Sequence, residues 1–319
     1  AEILRARGIR KPILVLGCVF PDEYETMVKN DIRAAVYTEE MARGMSEAAV
    51  KLNKTAYFHI KIDTGMGRIG FPVCDESADT VKRISTLPNV CLEAMFTHFA
   101  KADETDKSYT LMQHEKFMQM KEKIEERKIP IRYFDCDNSA GIIDFPDMKH
   151  DLARAGIAMY GMYPSDEVNK EAVDLRPALR LVSHVTFVKD VEPGTSISYG
   201  GTFTAEKKMR VATIPVGYGD GYPRSLSNKG EVLIHGKRAK ILGRVCMDQF
   251  MADVTDIPET RFMDEAVLVG SSGNDRITVE ELAELSGRFN YEFVCCLGKR
   301  IPRQYLSGGR IVEQADCFS

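Results

Sequence analysis

The segment His59-Ile-Lys61-Ile-Asp63-Thr-Gly-Met-Gly-Arg68-Ile-Gly70-Phe71 sets a lysine, a carboxylate and an arginine around a glycine-rich turn. Its Gly65-x-Gly67-x-x-Gly70 spacing matches a dinucleotide-binding fingerprint, which should open directly into a helix. Here Phe71-Pro72 follows at once and the next helical pattern starts near Asp75, so the dinucleotide reading is rejected. Lys61 and Asp63 sit on the strand itself. Polar residues at the C-terminal end of a parallel barrel strand face an active site. The plainer alternative is a tight turn carrying surface charges.

Two further segments carry candidate groups. Asn138-Ser139-Ala140 lies just beyond a strand, and Arg154-x-Gly156-Ile157-x-x-Tyr160-Gly161 follows it. The Ser139 hydroxyl and the N–H groups near Gly156 could bind phosphate, as loops after late barrel strands do. Arg154 is always cationic and donates without accepting. The third set is Ile197-Ser-Tyr199-Gly-Gly-Thr202, Val216-Gly-Tyr218-Gly-Asp-Gly221 and Gly243-Arg-Val-Cys-Met247-Asp248-Gln249, with Leu297-Gly-Lys-Arg300-Ile-Pro-Arg-Gln-Tyr305 at the end. Taken singly, each also fits an ordinary solvated turn.

The elements that must position these groups follow from periodicity. Short apolar runs at Ile13–Gly17, Ala34–Thr38, Tyr57–Ile62, Leu92–Thr97, Arg132–Cys136 and Gly156–Tyr160 read as strands. Helical stripes lie between them: Met41, Met45, Ala48 and Leu52; Ala78, Val81 and Ile84; Tyr109, Met112, Phe117, Met120 and Ile124. Strand-helix alternation implies a parallel sheet covered by helices. Six such units fit an α/β barrel of eight lacking its first two, or a six-stranded doubly wound sheet; strand counting does not decide. Ala1–Gly8 reads as the last turns of a helix ending at Gly8. After about residue 175 strand-like runs grow denser, at Leu181–Val188, Arg210–Ile214, Glu231–His235, Ala239–Leu242 and Ala266–Val269. A Thr278-x-x-Glu281 capping box opens one helix among them. The expected domains are therefore residues 1–170, an incomplete (β/α) barrel, and 171–319, mainly β.

The 319 residues are 44% apolar with a formal charge of −4, ample for a large core and without the long basic run that nucleic-acid binding would suggest. No apolar run reaches the length of a membrane span and no signal-like segment opens the chain, so a soluble, cytoplasmic protein is expected. Eight cysteines, none in a C-x-x-C pair, suit reduced and buried thiols better than disulfides or a metal site.

In sequence order, Lys61-x-Asp63-Thr-Gly-Met-Gly-Arg68-x-Gly70, Phe96-Thr-His98-Phe, Asn138-Ser139-Ala, Arg154-x-Gly156-Ile157-x-x-Tyr160-Gly, Ser198-Tyr199-Gly, Gly217-Tyr218-x-Asp-Gly221, Cys246-Met247-Asp248-Gln249 and Arg300-x-Pro302-Arg303-x-Tyr305 resemble the alanine racemase family along nearly the whole chain. The resemblance implies pyridoxal 5′-phosphate (PLP) as cofactor, a (β/α)8 barrel with a C-terminal β domain, and D-alanine supply for peptidoglycan. It further implies a head-to-tail homodimer with shared active sites. Racemisation removes a weakly acidic α-proton, so PLP would spread the carbanion's charge, and two bases would act on opposite faces. Tyr199 matches one base; the other is the family's cofactor-holding lysine. A phenol working near neutrality needs its pKa lowered by about 2–3 units, which neighbouring cations can supply. Arg68, Met247, Tyr218 and Asp248 match substrate or entrance contacts. Arg154 matches the arginine at the pyridine nitrogen, buttressed by His98, while Ser139, Gly156, Ile157 and Tyr305 match phosphate contacts. Lys61 matches a lysine that is often carbamylated.

The family's Val-Lys-Ala-x-Ala-Tyr-Gly-His-Gly-like run, which bears the cofactor lysine, has no counterpart here. The expectation is a truncated barrel rather than a non-catalytic remnant, and a 319-residue chain that by itself racemises almost nothing. Asp135-Cys-Asp137-Asn138 departs from the histidine and alanine expected near positions 135 and 137, placing two carboxylates beside a phosphate site. Serine or another small amino acid is the rival substrate, and PLP binding without turnover the rival function. A fold-related PLP decarboxylase would need a glycine-rich phosphate loop and a C-terminal cysteine-aspartate motif, and neither is present.

Overall fold

Apolar period and glycine placement shape the first of two units, residues 1–176, in a computed structural model that describes residues 1–148 and 150–316. The elements are α1 (Glu2–Ala6), β1 (Ile13–Val15), α2 (Tyr24–Lys29), β2 (Ile32–Val36), α3 (Glu39–Leu52), β3 (Ala56–Asp63), β4 (Phe71–Pro72), α4 (Asp75–Ser85), β5 (Val90–Phe96), α5 (Ser108–Glu126), β6 (Tyr133–Asp135) and α6 (Ser139–Asp144). Gly8 takes a φ of +87° just past α1, the left-handed stop its position suggested. Thr38 caps α3 by accepting from the Met41 N–H at 3.1 Å, and Met41, Met45, Ala48 and Ala49 turn inward.

Strand order decides between the two sheet types. The strands run β1-β2-β3-β5-β6, all parallel, with β4 paired to the end of β3. Each new strand joins beside the one before it. A doubly wound sheet reverses direction at a switch point, whereas a barrel adds strands in sequence. The order here is the barrel's, part of a (β/α) wall with Phe58, Ile60, Ile62 and Met95 buried against α3, α4 and α5.

The expected sixth strand is absent: Ile157–Tyr160 is a single 3-10 turn. The reason is local. The Ser139 hydroxyl accepts from the N–H groups of Gly156 and Ala158, at 2.9 and 3.3 Å, and a sheet ladder would need those donors. Only an isolated parallel bridge, Asp137 to Ala153, marks the place.

The second unit, residues 177–319, is a mainly antiparallel sheet. It comprises β7 (Leu181–His184), β8 (Phe187–Val191), β9 (Ser196–Ile197), β10 (Phe203–Thr204), β11 (Met209–Ile214), β12 (Glu231–Ile234), β13 (Lys237–Leu242), β14 (Phe250–Asp253), β15 (Glu265–Ser272) and β16 (Asp275–Ile277). Then follow α7 (Val279–Ser286), α8 (Asn290–Cys296), β17 (Arg303–Ser307) and β18 (Arg310–Ala315). The main sheet runs β16-β15-β12-β13-β14-β11-β8, with β7 on β15. The apolar run from Leu181 is therefore two strands. It breaks at Val185-Thr186, where one N–H turns to the Asp264 carbonyl and the next to that of Thr213. Half of the expected capping box forms: the Thr278 hydroxyl accepts from the Glu281 N–H at 3.1 Å, while the Glu281 carboxylate takes Arg238.

The cysteines also differ from expectation. Among the described residues Cys136 is buried, Cys74, Cys91 and Cys246 are partly so, and Cys18, Cys295 and Cys296 are exposed; Cys317 lies outside the described residues. Apolar neighbours place an element but do not fix which of its faces a given position occupies. No helix among the described residues is long and apolar enough to cross a membrane.

Gly70 ties the glycine-rich loop to β3. It has a φ of +137°, and a Cβ there would lie 2.5 Å from the Asp63 nitrogen. Both the backbone angle and the contact exclude a side chain. Gly70→Ala is expected to cost about 3 kcal/mol, seen as a lowered melting temperature by circular dichroism; an unchanged melt would contradict the close approach.

Candidate active site

The end of the parallel sheet gathers charge that burial would otherwise forbid. Lys61, on β3, is buried. Its Nζ donates to the Ile62 carbonyl at 2.8 Å and lies 5.4 Å from the centre of the Phe96 ring. Burial, and then the nearby Arg154 and Arg68 charges, push its ammonium down to about 8. Arg68 itself stands exposed in the loop. Asp63 is turned away from chemistry: one carboxylate oxygen accepts from the Gly65 and Gly67 N–H groups, both at 3.0 Å, and closes that loop.

Arg154 is held on several sides. Its N–H donates to the Asp137 carbonyl at 2.8 Å. Its Nη2 donates to the carbonyls of Thr97 at 2.7 Å and Cys136 at 3.2 Å, its Nη1 pairs with the Asp135 carboxylate, and the guanidinium lies 5.2 Å over the Phe96 ring. Among the described residues Nε has no hydrogen-bond partner. The departure at 135 thus resolves into an ion pair. Even so, burial outweighs the guanidinium and raises the Asp135 carboxyl to about 6. Asp137 is raised to about 6 as well, by burial and then by the Asp135 charge. Its Oδ1 is buried without a partner. His98 is pushed down to about 4 by burial and the surrounding cations, so its imidazole is neutral near pH 7.

Beside this cluster, Ser139 is buried at the start of α6, and its hydroxyl meets the Gly156 and Ala158 amides. Asn138 caps α6 by accepting from the Gly141 N–H at 2.9 Å and donates to the Phe99 carbonyl at 3.3 Å. The structure therefore brings together Lys61, Arg154, Ser139, Gly156 and Ile157, with Arg68 and His98 close enough for their charges to couple to Lys61 or to one another.

In the second unit Tyr199, Tyr218, Met247 and Asp248 are exposed on three loops that lock onto one another. The Tyr218 and Gly219 N–H groups donate to the carbonyls of Cys246 and Met247 at 3.1 and 2.8 Å. The Ser198 hydroxyl donates to the Arg244 carbonyl at 2.6 Å. Arg300 bridges two of the loops, with Nε to Asp220 at 2.7 Å and Nη2 to Asp248 at 2.5 Å. A Cβ on Gly219 would meet that guanidinium at 2.7 Å, so glycine permits the clasp. Tyr305 stands exposed on β17.

Sequence reasoning missed two structural supports. Gln113 is buried on α5, where Phe117, Met120 and Ile124 share its face; its Oε1 accepts from the Ala100 N–H at 2.8 Å, and its Nε2 donates to the His98 carbonyl at 3.1 Å and to Thr64 at 3.2 Å. The 4-3-4 step from Gln113 to Ile124 was the available signal. Arg300 was noted only as part of a motif.

The family models for the N-terminal and C-terminal domains of alanine racemase match residues 1–164 and 178–305. An alanine racemase of Clostridium tetani is 46% identical over 310 residues, which cover 97% of this chain and 80% of the relative. That of Halothermothrix orenii is 46% identical over 303 residues, covering 95% and 79%. Among solved structures, alanine racemase of Clostridium difficile 630 aligns with a TM-score of 0.95 at 40% identity, covering 99% of this chain and 81% of its own. The alanine racemase of Bacillus anthracis with bound L-Ala-P gives 0.91 at 35%, covering 99% and 81%.

The orphaned Asp137 carboxyl makes a test of the electrostatics. Its folded pKa, about 6, lies above the ordinary value of 3.8, so ionisation opposes folding. The penalty grows as pH rises between those values and is complete above them. Asp137→Asn is expected to raise stability by about 1–2 kcal/mol at pH 8, with the gain fading toward pH 4. Urea titrations at both pH values measure it, and a gain independent of pH would contradict the assignment.

Proposed function

The chain belongs to the alanine racemase family, and on that premise we propose that it interconverts L- and D-alanine with PLP as cofactor. It acts as a cytoplasmic homodimer and supplies D-alanine for peptidoglycan. The observation that carries the cofactor reading is the donor set of the first unit. Arg154 keeps Nε uncommitted among the described residues, and two backbone N–H groups converge on the Ser139 hydroxyl. A flat heteroaromatic phosphate asks for such a pairing: one fixed donor for its ring nitrogen and, for its phosphate, the Ser139 O–H, whose oxygen is already anchored by those two amides.

When bound, PLP supplies an electron sink that makes the amino acid's α-proton removable. The protein's part is to bind, orient and move protons. Arg154 would donate to the pyridine nitrogen and, being unable to give up its proton, would keep that nitrogen from becoming a full cation. Ser139, Gly156 and Ile157 would hold the phosphate. His98, neutral beside three cations, adds no further charge, and in this family the matching residue supports the arginine. Arg68 and Met247 receive the substrate carboxylate, while Tyr218 and Asp248 line the entrance. Tyr199 is the base for one face of the α-carbon. In this family the cofactor lysine serves the other face, and the 319 residues hold no run of that kind. In the homodimer Tyr199 and Met247 serve the partner's barrel, which accounts for exposed tyrosine and methionine side chains on rigidly latched loops.

Lys61 is suited to carbamylation. An amine held near 8 is partly neutral in mildly alkaline buffer, and it attacks CO2 to give a carbamate and one released proton. The resulting anion would attract the Arg154 and Arg68 charges that act on this position instead of adding a third cation to them. Protein equilibrated with 13C-bicarbonate should show one carbamate carbon resonance that Lys61→Met abolishes. Its persistence in the variant would place the modification elsewhere.

Tyr199→Phe tests the catalytic reading. In protein that carries the cofactor lysine, removing the hydroxyl should lower D-alanine formation by roughly 100-fold or more, with PLP absorbance unchanged. Activity close to that of the parent would defeat the two-base assignment.

A further inference from the structure

We propose that Phe96 is a positioning residue of the site: its ring lies against both the Lys61 ammonium and the Arg154 guanidinium, seats the two cations side by side, and so favours the protonated amine at Lys61.

The geometry is a single row across the end of the sheet. In the parallel register Phe96 on β5 stands between Lys61 on β3 and Asp135 on β6, and register partners present their side chains to the same face. Phe96 is 3% exposed. The Lys61 Nζ lies 5.4 Å from its ring centre and the Arg154 guanidinium carbon 5.2 Å from it, both within reach of a cation–π attraction. The ring is itself held in place. His59, two residues before Lys61 on β3, meets it edge-on at 6.4 Å with the two planes at 68°. His59 in turn lies 3.1 Å from the Glu93 carboxylate, which accepts from Nε and Nη2 of Arg33 at 2.9 and 3.0 Å. Side chains from β2, β3 and β5 therefore fix the seat of the ring.

Lys61 needs that ring because little else meets its charge. Its ammonium donates to the Ile62 carbonyl at 2.8 Å, and among the described residues it forms no ion pair. Asp63 is occupied by the Gly65 and Gly67 amides, and Asp135 by Arg154. The other groups that act on it are Arg154 and Arg68, which oppose the ammonium, the Cys136 thiol, kept protonated by burial, and the neutral His98 imidazole. Burial and the two arginines push the proton off, whereas the negative face of an aromatic ring draws a cation toward it. An aliphatic side chain of similar bulk would fill the row without that attraction. The consequence for carbamate formation rests on the Lys61 reading above: CO2 takes the neutral amine, so the ring limits how much of Lys61 is open to it.

The experiment replaces Phe96, in the 319-residue chain, by difluoro- and pentafluorophenylalanine, rings of nearly the same size whose faces are progressively less negative. Without cofactor and in CO2-free buffer, Lys61 is titrated through the 13Cε shift of labelled lysine, its signal identified by its loss in Lys61→Met. Each step of fluorination should move the Lys61 titration to lower pH. In the pentafluoro protein the ratio of neutral amine to ammonium at fixed pH should rise about threefold to tenfold. A ring that only fills space predicts no movement. If circular dichroism shows that the pentafluoro protein does not fold, the difluoro protein decides alone. A Lys61 titration unmoved by fluorine, or moved to higher pH, overturns the proposal. Adding 13C-bicarbonate separates it from the carbamylation reading. A moved titration with no carbamate signal in the parent fails that reading and upholds the role of Phe96, whereas a carbamate signal with an unmoved titration overturns only the role of Phe96.

Discussion

A guanidinium cannot lose its proton, so where Arg154 leaves water for the half-buried end of the sheet its charge must be met in place. The first unit is arranged around that constraint. Two backbone carbonyls, one carboxylate and one aromatic face converge on Arg154 from β5, β6 and the turns that follow them. Those partners come from residues 96, 97, 135 and 136, so the strand ends must be in register before the charge can be accommodated. The arginine in turn lowers the pKa values of Lys61 and His98 and opposes the rise of those of Asp135 and Asp137. The site's electrostatics follow from one side chain and the sheet that holds it.

Sequential strand order is what makes this possible. In a wall where each strand joins beside its predecessor, the C-terminal ends of β3, β5 and β6 lie side by side. Lys61, Thr97 and Asp135 then become neighbours despite large separations in the chain. Gln113 works to the same end from outside the sheet, fastening the turn that carries His98 to α5. The second unit solves a different problem. Its candidate residues are exposed, so their placement rests on loop-to-loop bonds and on the Arg300 clasp rather than on burial.

Much of this was legible in the residues because local period and core packing agree. The stripes through Met41 and Met45 and through Ala78, Val81 and Ile84 became α3 and α4, with those residues buried. The motif segments fell on strand ends and turns, where they were expected. What stayed hidden depends on side chains competing for backbone. Gly156–Tyr160 has a strand's composition, but Ser139 captures the amides that pairing would need. Leu181–Val188 has the period of one long strand, yet two consecutive N–H groups find carbonyls in different strands' neighbourhoods. Gln113 was hidden in a stripe otherwise read as apolar. Hydrophobic pattern reports which residues leave water; it does not report which donor reaches which acceptor.

The two aspartates of β6 and its following turn show the same lesson in charge. By count alone they should repel an anion bound at the adjacent Ser139 loop. The structure removes part of that objection without moving either residue. Asp135 spends its charge on Arg154, while Asp137, raised to about 6 by burial and by its neighbour, is the neutral acid only below that pH. An ion-paired carboxyl exerts little long-range field, and the Ser139 hydroxyl, whose oxygen accepts from the Gly156 and Ala158 amides, keeps its own O–H as a donor. The charge that governs the site is therefore the number of unpaired ions at its wall, and the sequence by itself shows only the number of ionisable residues.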